Sequence, residues 1–440
     1  MGAGAGFSGD RIEPAVELAE KGELDFLVFE CLAERTIALA QLARMNDPDA
    51  GFDPMLERRM RAVLPACAAR GTRIISNMGA ANPLAAARKL RQIADRLGLG
   101  NLRIAAVTGD DVIDAVIDGD FILDETGAPA RALGDRLISA NAYIGVSSIV
   151  SALQAGADVV LTGRASDPAM FLAPLVHSFG WTMDDWDRLG RGTLVGHLLE
   201  CAGQITGGYF ADPGYKDIPD LARLGFPLAE IAKDGDAVIT KPTGTGGQVT
   251  RATCTEQLLY EIHDPSRYLQ PDVVADFSRV TLTEDGPDRI RVSGGAGAPR
   301  TGMLKVSVGY DDGWLGEGQI SYAGPGAEAR GRLAIELLRE RLATNGPALR
   351  ETRGELIGVD AILGQGGVQG CSPREVRVRF AARCATQADA ARIGEEVESL
   401  YLNGPSGGGG ATRSIRRMLG VASTLIPEEL VKTRVQMVES

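Results

Sequence analysis

Only three histidines, His177, His197 and His263, occur in 440 residues. That count excludes a histidine-rich metal centre. The six cysteines, Cys31, Cys67, Cys201, Cys254, Cys371 and Cys384, contain no C-x-x-C pair. A zinc ribbon and a disulfide framework are therefore not expected, and the thiols read as reduced. No apolar run reaches the roughly 18–20 residues of a membrane span, and no signal-peptide pattern opens the chain. The reading is a cytoplasmic protein without a membrane segment. Positive charge is also short: 46 Lys and Arg face 58 Asp and Glu, for a net charge of −12. The basic clusters (Arg58, Arg59, Arg61; Arg413, Arg416, Arg417) are too small to neutralise a phosphate backbone, which argues against nucleic acid as a partner. A G-x-S-x-G nucleophile elbow is missing, which disfavours acyl transfer through serine. No repeat of 20–50 residues shows.

Glycine is what the chain has in excess, with 56 residues of 440 against a usual ~7%. The glycines gather in a few loops. Gly4, Gly6 and Gly9 fall in G-x-G-x-x-G register, with Ser8 among them and Asp10 and Arg11 directly behind. Such a loop offers backbone N–H groups and close approach to an anion. Glu30 follows 21 residues after Gly9 at the end of the apolar run LDFLVFE, the spacing of a dinucleotide fingerprint. Against NAD(P) stand the absence of an obvious strand before the loop and the charge at Asp10 and Arg11.

The first half alternates apolar strand-like runs with helical spacing. Strands are expected at 24–30, 73–77, 102–107 and 158–161, and helices at 32–45, 55–70, 83–97 and 146–154. That alternation predicts an α/β fold with a mostly parallel sheet and flanking helices. A further helix is expected over 193–208 and a strand over 237–241. The texture after residue 250 changes to short strands, with helices at 327–342 and 388–402. Two domains are expected: an α/β ligand-binding body over 1–240, and a smaller α+β part over 241–440 that completes the site with glycine-rich loops.

Glu30, Asn77, Asp110 with Asp111, and Arg164 with Asp167 each follow an apolar strand. In parallel α/β folds such ends face one crevice; singly, each also reads as a helix cap. Glu30, Glu34, Asp110, Asp111 and Asp167 could jointly hold one Mg²⁺ through oxygen ligands, although no D-x-D spacing supports it. Lys241 opens the loop KPTGTGG, where Gly246 and Gly247 could present N–H groups to an anion; the other reading is a solvated lysine at a turn. Gly408 and Gly409, in the run Gly407–Gly410, read either as an anion loop before a helix or as a linker. His197 and Glu200 are three apart on one helical face, as a general acid–base pair or as a core histidine bonded to its neighbour.

The runs GAGAGFSGDR, FECLAERT, ISNMGAANP, TGDD, LTGRASDPA, KPTGTGG and NGPSGGGG together resemble the acyclic terpene utilisation (AtuA) family, from residue 2 to about residue 420. The resemblance implies a catabolic role beside acyl-CoA steps of citronellol-type terpene degradation. It also implies a short strand before the first glycine loop; that strand is missing here, so a late start codon or a trimmed chain is expected. Longer members carry an added ferredoxin-like domain. Shorter ones accompany a separate small protein, so a companion subunit is expected, together with a homo-oligomer. The family supplies no catalytic set to carry over. The residues themselves suggest an enzyme acting on a small anionic metabolite, a carboxylate or acyl-CoA, by lyase or hydratase chemistry. Glu30, Asp110, His197 or Lys241 would serve catalysis; Gly6, Ser8, Gly9, Asp10, Arg11, Asn77, Arg164, Asp167, Gly246, Gly247, Gly408 and Gly409 would hold the anion. The alternatives are an NAD(P)-dependent oxidoreductase and a non-catalytic subunit of a two-protein enzyme.

Overall fold

A computed structural model describes residues 1–364 and 373–438; Cys371 lies outside them. The chain forms two compact units, Met1–Gly309 with Val421–Ser440, and Tyr310–Gly420. Residue 240 ends a strand inside the first of these.

The first unit is built on a ten-stranded sheet. Its strands begin with β1 (Gly2–Ala5), β2 (Phe26–Phe29), β3 (Arg73–Ser76), β4 (Ile104–Thr108), β5 (Leu137–Ala142), β6 (Val159–Thr162), β7 (Leu228–Ile231) and β8 (Ala237–Thr240). The sheet runs Thr281–Glu284, Ile290–Ser293, β8, β7, β1, β2, β3, β6, β4, Arg434–Val438. Only β1, β2, β3, β6 and β4 are mutually parallel. Every other junction is antiparallel. The expected mostly parallel sheet is thus corrected to a mixed one. Helical crossovers separate the central strands, and parallel pairing needs such long connections. Later strands are joined by short turns, such as 232–236 between β7 and β8, which impose antiparallel pairing.

The strand thought to be missing is the glycine run itself: Gly2–Ala5 is β1, fully buried. A Cβ on Gly4 would enter the Phe29 ring. Its bareness lets β1 lie against the aromatic side chain of the neighbouring strand. Helix α1 (Glu13–Lys21) returns the chain to β2, and α2 (Glu34–Asn46), α3 (Leu56–Arg70) and α4 (Pro83–Arg96) follow. Pro83 at the first turn and the Asn82 cap, which accepts from the Ala85 N–H at 3.3 Å, start α4. Helix α5 (Ile113–Asp118), α6 (Ser147–Gln154), α7 (Asp167–Phe179) and α8 (Trp186–Leu199) complete the set flanking the parallel strands. The helix expected over 193–208 is α8. It starts seven residues earlier, on the Asp185 cap, and is broken after Leu199, where Ala202 takes φ 42°. Glu200 and Cys201 therefore sit on a turn at its C-terminal end.

The second unit has the order strand (Met303–Ala323), helix (Ala327–Asn345), strands (Leu349–Ile357 and Glu375–Cys384), helix (Gln387–Asn403), strand (Gly409–Pro427). Its sheet order places the first strand between the third and the fourth. This is the split βαβ arrangement of ferredoxin-like folds. Its own core contains Ile320, Leu338, Leu356, Val378, Phe380, Ile393 and Val397. The run Gly407–Gly410 leads into a strand, not a helix as one reading had it. Ala422, Thr424 and Ile426 are buried at a period of two, the strand period.

Candidate active site

The open ends of the central strands carry the polar residues. Glu30 follows β2 and is 8% exposed; Asn77 follows β3 and is fully buried; Arg164 lies two residues past β6 and is 2% exposed. Asn77 holds both neighbours. Its Nδ2 donates to Glu30 Oε1 at 2.9 Å, and its Oδ1 accepts from the Cys31 N–H at 2.7 Å. The Leu32 N–H donates to the same Glu30 oxygen at 2.9 Å. Arg164 Nη1 stands 3.9 Å from that oxygen and 2.8 Å from Asp167 Oδ1. It also donates to the Leu32 carbonyl, and its guanidinium lies 3.9 Å from the centre of the Tyr143 ring. Arg164 Nε is buried with no partner.

Burial, reinforced by the Asp167 charge, holds the Glu30 carboxyl well above the usual carboxylate range. Arg164 and the two hydrogen bonds oppose this without overcoming it. Burial thus favours the protonated form of the Glu30 carboxyl. Glu34 behaves oppositely. Burial pushes it up, but the Tyr143 hydroxyl, Arg164 and Lys305 outweigh that and lower it to about 2. Tyr143 donates to Glu34 Oε1, Lys305 Nζ lies 3.2 Å from the same atom, and the Ser307 hydroxyl donates to Tyr143 at 3.3 Å. Glu34, Lys305 and Asp167 keep 38%, 44% and 33% of their side chains exposed, so they are the solvent-facing members of the group around the buried acid and arginine.

Asp110 lies behind this group. It accepts from Asn141 Nδ2 at 2.9 Å and from the Arg164 N–H at 2.8 Å, and burial raises it to about 6. Its place is positional: it fixes the backbone from which Arg164 projects. A Cβ on Gly163 would collide with the Asp110 carboxylate. Gly163→Ala is expected to destabilise the protein by about 1–3 kcal/mol through overpacking, read by denaturant unfolding. An unchanged midpoint would show that the Asp110 carboxylate moves aside freely.

The N-terminal loop closes one side. Asp10 receives the Gly6 N–H at 2.9 Å and the Arg11 N–H at 2.8 Å. The loop thus turns its N–H groups on its own carboxylate, and a Cβ on Gly6 would lie 2.7 Å from the Cys201 backbone. Both features leave little room for a pyrophosphate, and Glu30 is occupied by Asn77 and Leu32, which disfavours a dinucleotide fingerprint. Arg11 is half-exposed and donates to the Ala222 carbonyl at 3.0 Å. Arg59, one of the short basic cluster Arg58, Arg59 and Arg61, is fully buried. It donates to the carbonyls of Ser8 and Asp10, both at 3.1 Å, and to Cys31 Sγ at 3.1 Å. Gly9 lies in the same loop.

His197 and Glu200 form the expected pair, Nδ1 to Oε1 at 2.9 Å, with His197 Nε2 3.2 Å from the Leu258 carbonyl. Tyr268 and Phe277 flank the imidazole at 5.6 and 5.8 Å between ring centres. Burial raises Glu200 to about 7, and Asp167 adds to the rise, so the pair lies within the electrostatic reach of the Arg164 group. Lys241 is 8% exposed. It is consumed by Asp288 at 3.2 Å and the Thr245 carbonyl at 2.9 Å. The Gly246 and Gly247 N–H groups bond to the carbonyls of Arg223 and Pro219, both at 2.8 Å. That loop is braced internally. Gly408 and Gly409 belong to the second unit.

Among the described residues no three His, Cys, Asp or Glu side chains converge closely enough to hold a metal ion. The carboxylates Glu30, Glu34 and Asp167 are drawn together by Arg164 instead. No described helix is long and apolar enough to cross a membrane.

The model of the acyclic terpene utilisation family protein AtuA matches residues 1–437. The chain belongs to the AtuA family. No curated protein matches it. AtuA membership fits a role in acyclic terpene utilisation. Tyr143, Lys305 and Arg59 were not singled out beforehand. Tyr143 follows the apolar run of β5, the same signal that marked Glu30. Arg59 sits with Leu56, Met60 and Val63 on the buried face of α3.

Four buried acids of this AtuA protein share one sign. Asp110 and Asp272 are raised to about 6, Glu200 to about 7, and Glu30 is raised as well, each chiefly by burial. Unfolded carboxyls titrate near ~4. Between pH ~4 and ~6 the folded state therefore binds more protons than the unfolded one, and stability falls as pH rises. Denaturant midpoints across that window are expected to decrease; a rise would refute the assignment.

Proposed function

We propose that the strand-end crevice carries out proton transfer on a small anionic metabolite, a carboxylate or acyl thioester, in a lyase or hydratase step of acyclic terpene breakdown. The single observation that carries this reading is Glu30: a buried carboxyl whose protonated form burial favours, beside a buried arginine and next to the partly exposed Glu34, Asp167 and Lys305. A neutral acid can give its proton to a carbanion-like carbon and recover it from the neighbouring carbon acid in reverse. Arg164 supplies positive charge at the place where an enolate oxygen would develop. Its own carboxylates hold it rigid, so no reorganisation is needed on reaction. Lys305 and Arg11, both partly exposed, would draw the anion toward the crevice. Tyr143, clamped between Arg164 and Lys305, sets the width of the entrance. Asp110, Asn77 and the His197–Glu200 pair position the acid and its surroundings.

Short carboxylates and their thioesters are the test. At least one of them is expected to raise the melting temperature in a concentration-dependent way. The protein should then catalyse solvent-deuterium incorporation next to its carbonyl. Failure of every carboxylate and thioester to shift the melting temperature would sink the reading.

A further inference from the structure

A shallow, open surface depression of about 960 Å³ lies in the first unit, lined by none of the residues around Glu30 and Arg164. The volume is that of a site for a ligand of several rings or arms. Its walls carry Phe210, Tyr215, Lys216, Arg251, Glu256 and Tyr260. Three aromatic rings on one depression are notable in a chain with 5% aromatic residues. Tyr215 leaves 88% of its surface exposed, yet it is not on a loose loop. The Lys216 N–H donates to the Asp212 carbonyl at 2.7 Å, and the Asp212 N–H to the Lys216 carbonyl at 3.0 Å. The Gly214 N–H donates to Asp217 Oδ1 at 3.0 Å. This tight turn holds the Tyr215 ring out into the opening. Lys216 then locks the turn in place: its Nζ lies 2.8 Å from both Glu256 oxygens and 4.7 Å from the Phe210 ring centre.

The charges on the wall are not equivalent. Lys216 is matched by Glu256. The Arg251 guanidinium has no hydrogen bond or ion pair among the described residues. A fixed exposed aromatic beside an unmatched arginine suits a ligand with a flat ring and an anionic arm. Tyr260 gives a second ring. Leu258, one turn before the end of this wall, accepts from His197, which ties the depression to the polar interior.

We propose that this depression binds a purine nucleotide, with the base stacked on Tyr215 and Tyr260 and the phosphates at Arg251. The site is separate from the Glu30 crevice and does not depend on the chemistry proposed there.

Isothermal titration of the full chain with ADP, coenzyme A and pantetheine tests it. ADP and coenzyme A both carry the nucleotide; pantetheine is the coenzyme A arm without it. ADP and coenzyme A are expected to bind, more weakly at higher salt, and pantetheine is not. Tyr215→Ala should weaken ADP by at least ~10-fold through lost stacking, and Arg251→Gln by a similar factor through the lost phosphate contact. Both side chains are exposed, so the variants should keep the wild-type melting temperature. Glu30→Gln should bind ADP as the wild type does, which separates this site from the crevice. The proposal is overturned if ADP gives no heat with the wild type. It is also overturned if coenzyme A and pantetheine bind while ADP does not, or if both variants bind ADP unchanged.

Discussion

Replacing Glu30 with glutamine is expected to lower turnover by ~10²–10⁴-fold, the usual contribution of a positioned proton-transfer group. The fold should survive. Asn77 Nδ2 and the Leu32 N–H both donate to Oε1, and a glutamine carbonyl accepts them equally well. Burial and Asp167 favour the protonated form of the native carboxyl, and glutamine keeps its size and acceptor while removing the proton donor. Turnover would be measured as solvent-deuterium incorporation into whichever carboxylate or thioester raises the wild-type melting temperature. Glu30→Asp should recover little, because the shortened carboxyl leaves Asn77. A glutamine variant that keeps more than roughly a tenth of wild-type exchange would remove Glu30 from the chemistry.

Arg164→Met is the substitution with the largest expected effect on stability, a loss of about 3–5 kcal/mol. The guanidinium is buried and answers three acceptors: Asp167 at 2.8 Å, the Leu32 carbonyl and, at 3.9 Å, Glu30. Methionine fills much of the volume but leaves those groups unmatched in a poorly solvated place. Arg164→Lys should fall between, since one ammonium cannot span Asp167 and Leu32 while lying flat on Tyr143. Chemical denaturation of the first unit, followed by tryptophan fluorescence, reads the effect; a loss below about 1 kcal/mol would mean that the pair is solvated like a surface one.

The parallel strands and their polar ends were legible because each is a short apolar run stopped by one hydrophilic residue. The strands expected at 24–30 and 73–77 are Phe26–Phe29 and Arg73–Ser76, within a residue or two, with Glu30 and Asn77 directly after them. The pairing partners were not legible in the same way. Nothing local says that β7 will lie antiparallel to β1, or that the last strand will pair with β4, because pairing is decided by neighbours far away in the chain. The glycine run misled for a physical reason. Small residues serve a tight loop and a strand pressed on an aromatic ring equally well, and Phe29, 25 positions after Gly4, decides between them. Arg59 shows the converse. It is charged, yet it shares the buried face of its helix with Leu56, Met60 and Val63. Only the carbonyls of Ser8 and Asp10 explain how it is tolerated there. Glu30, Asn77, Arg164 and Asp167 lie together in the structure, whereas Tyr143 and Lys305 join them from segments that carry no motif.

The edge of the main sheet has a consequence for how the protein is made. Ile104–Thr108 waits for Arg434–Val438, which covers it residue by residue from Val438 on Ile104 to Arg434 on Thr108. More than 300 residues of synthesis separate the two, and the whole Tyr310–Gly420 unit is translated in between. A nascent chain therefore carries an unpaired, apolar strand edge until residues 434–438 leave the ribosome, the kind of edge that recruits other strands. Ribosome-bound chains stopped before residue 434 should be protease-sensitive around β4 and aggregate on release, while full-length chains should not. Early protection of β4 in the stopped chains would show that the edge is closed by something other than its native partner.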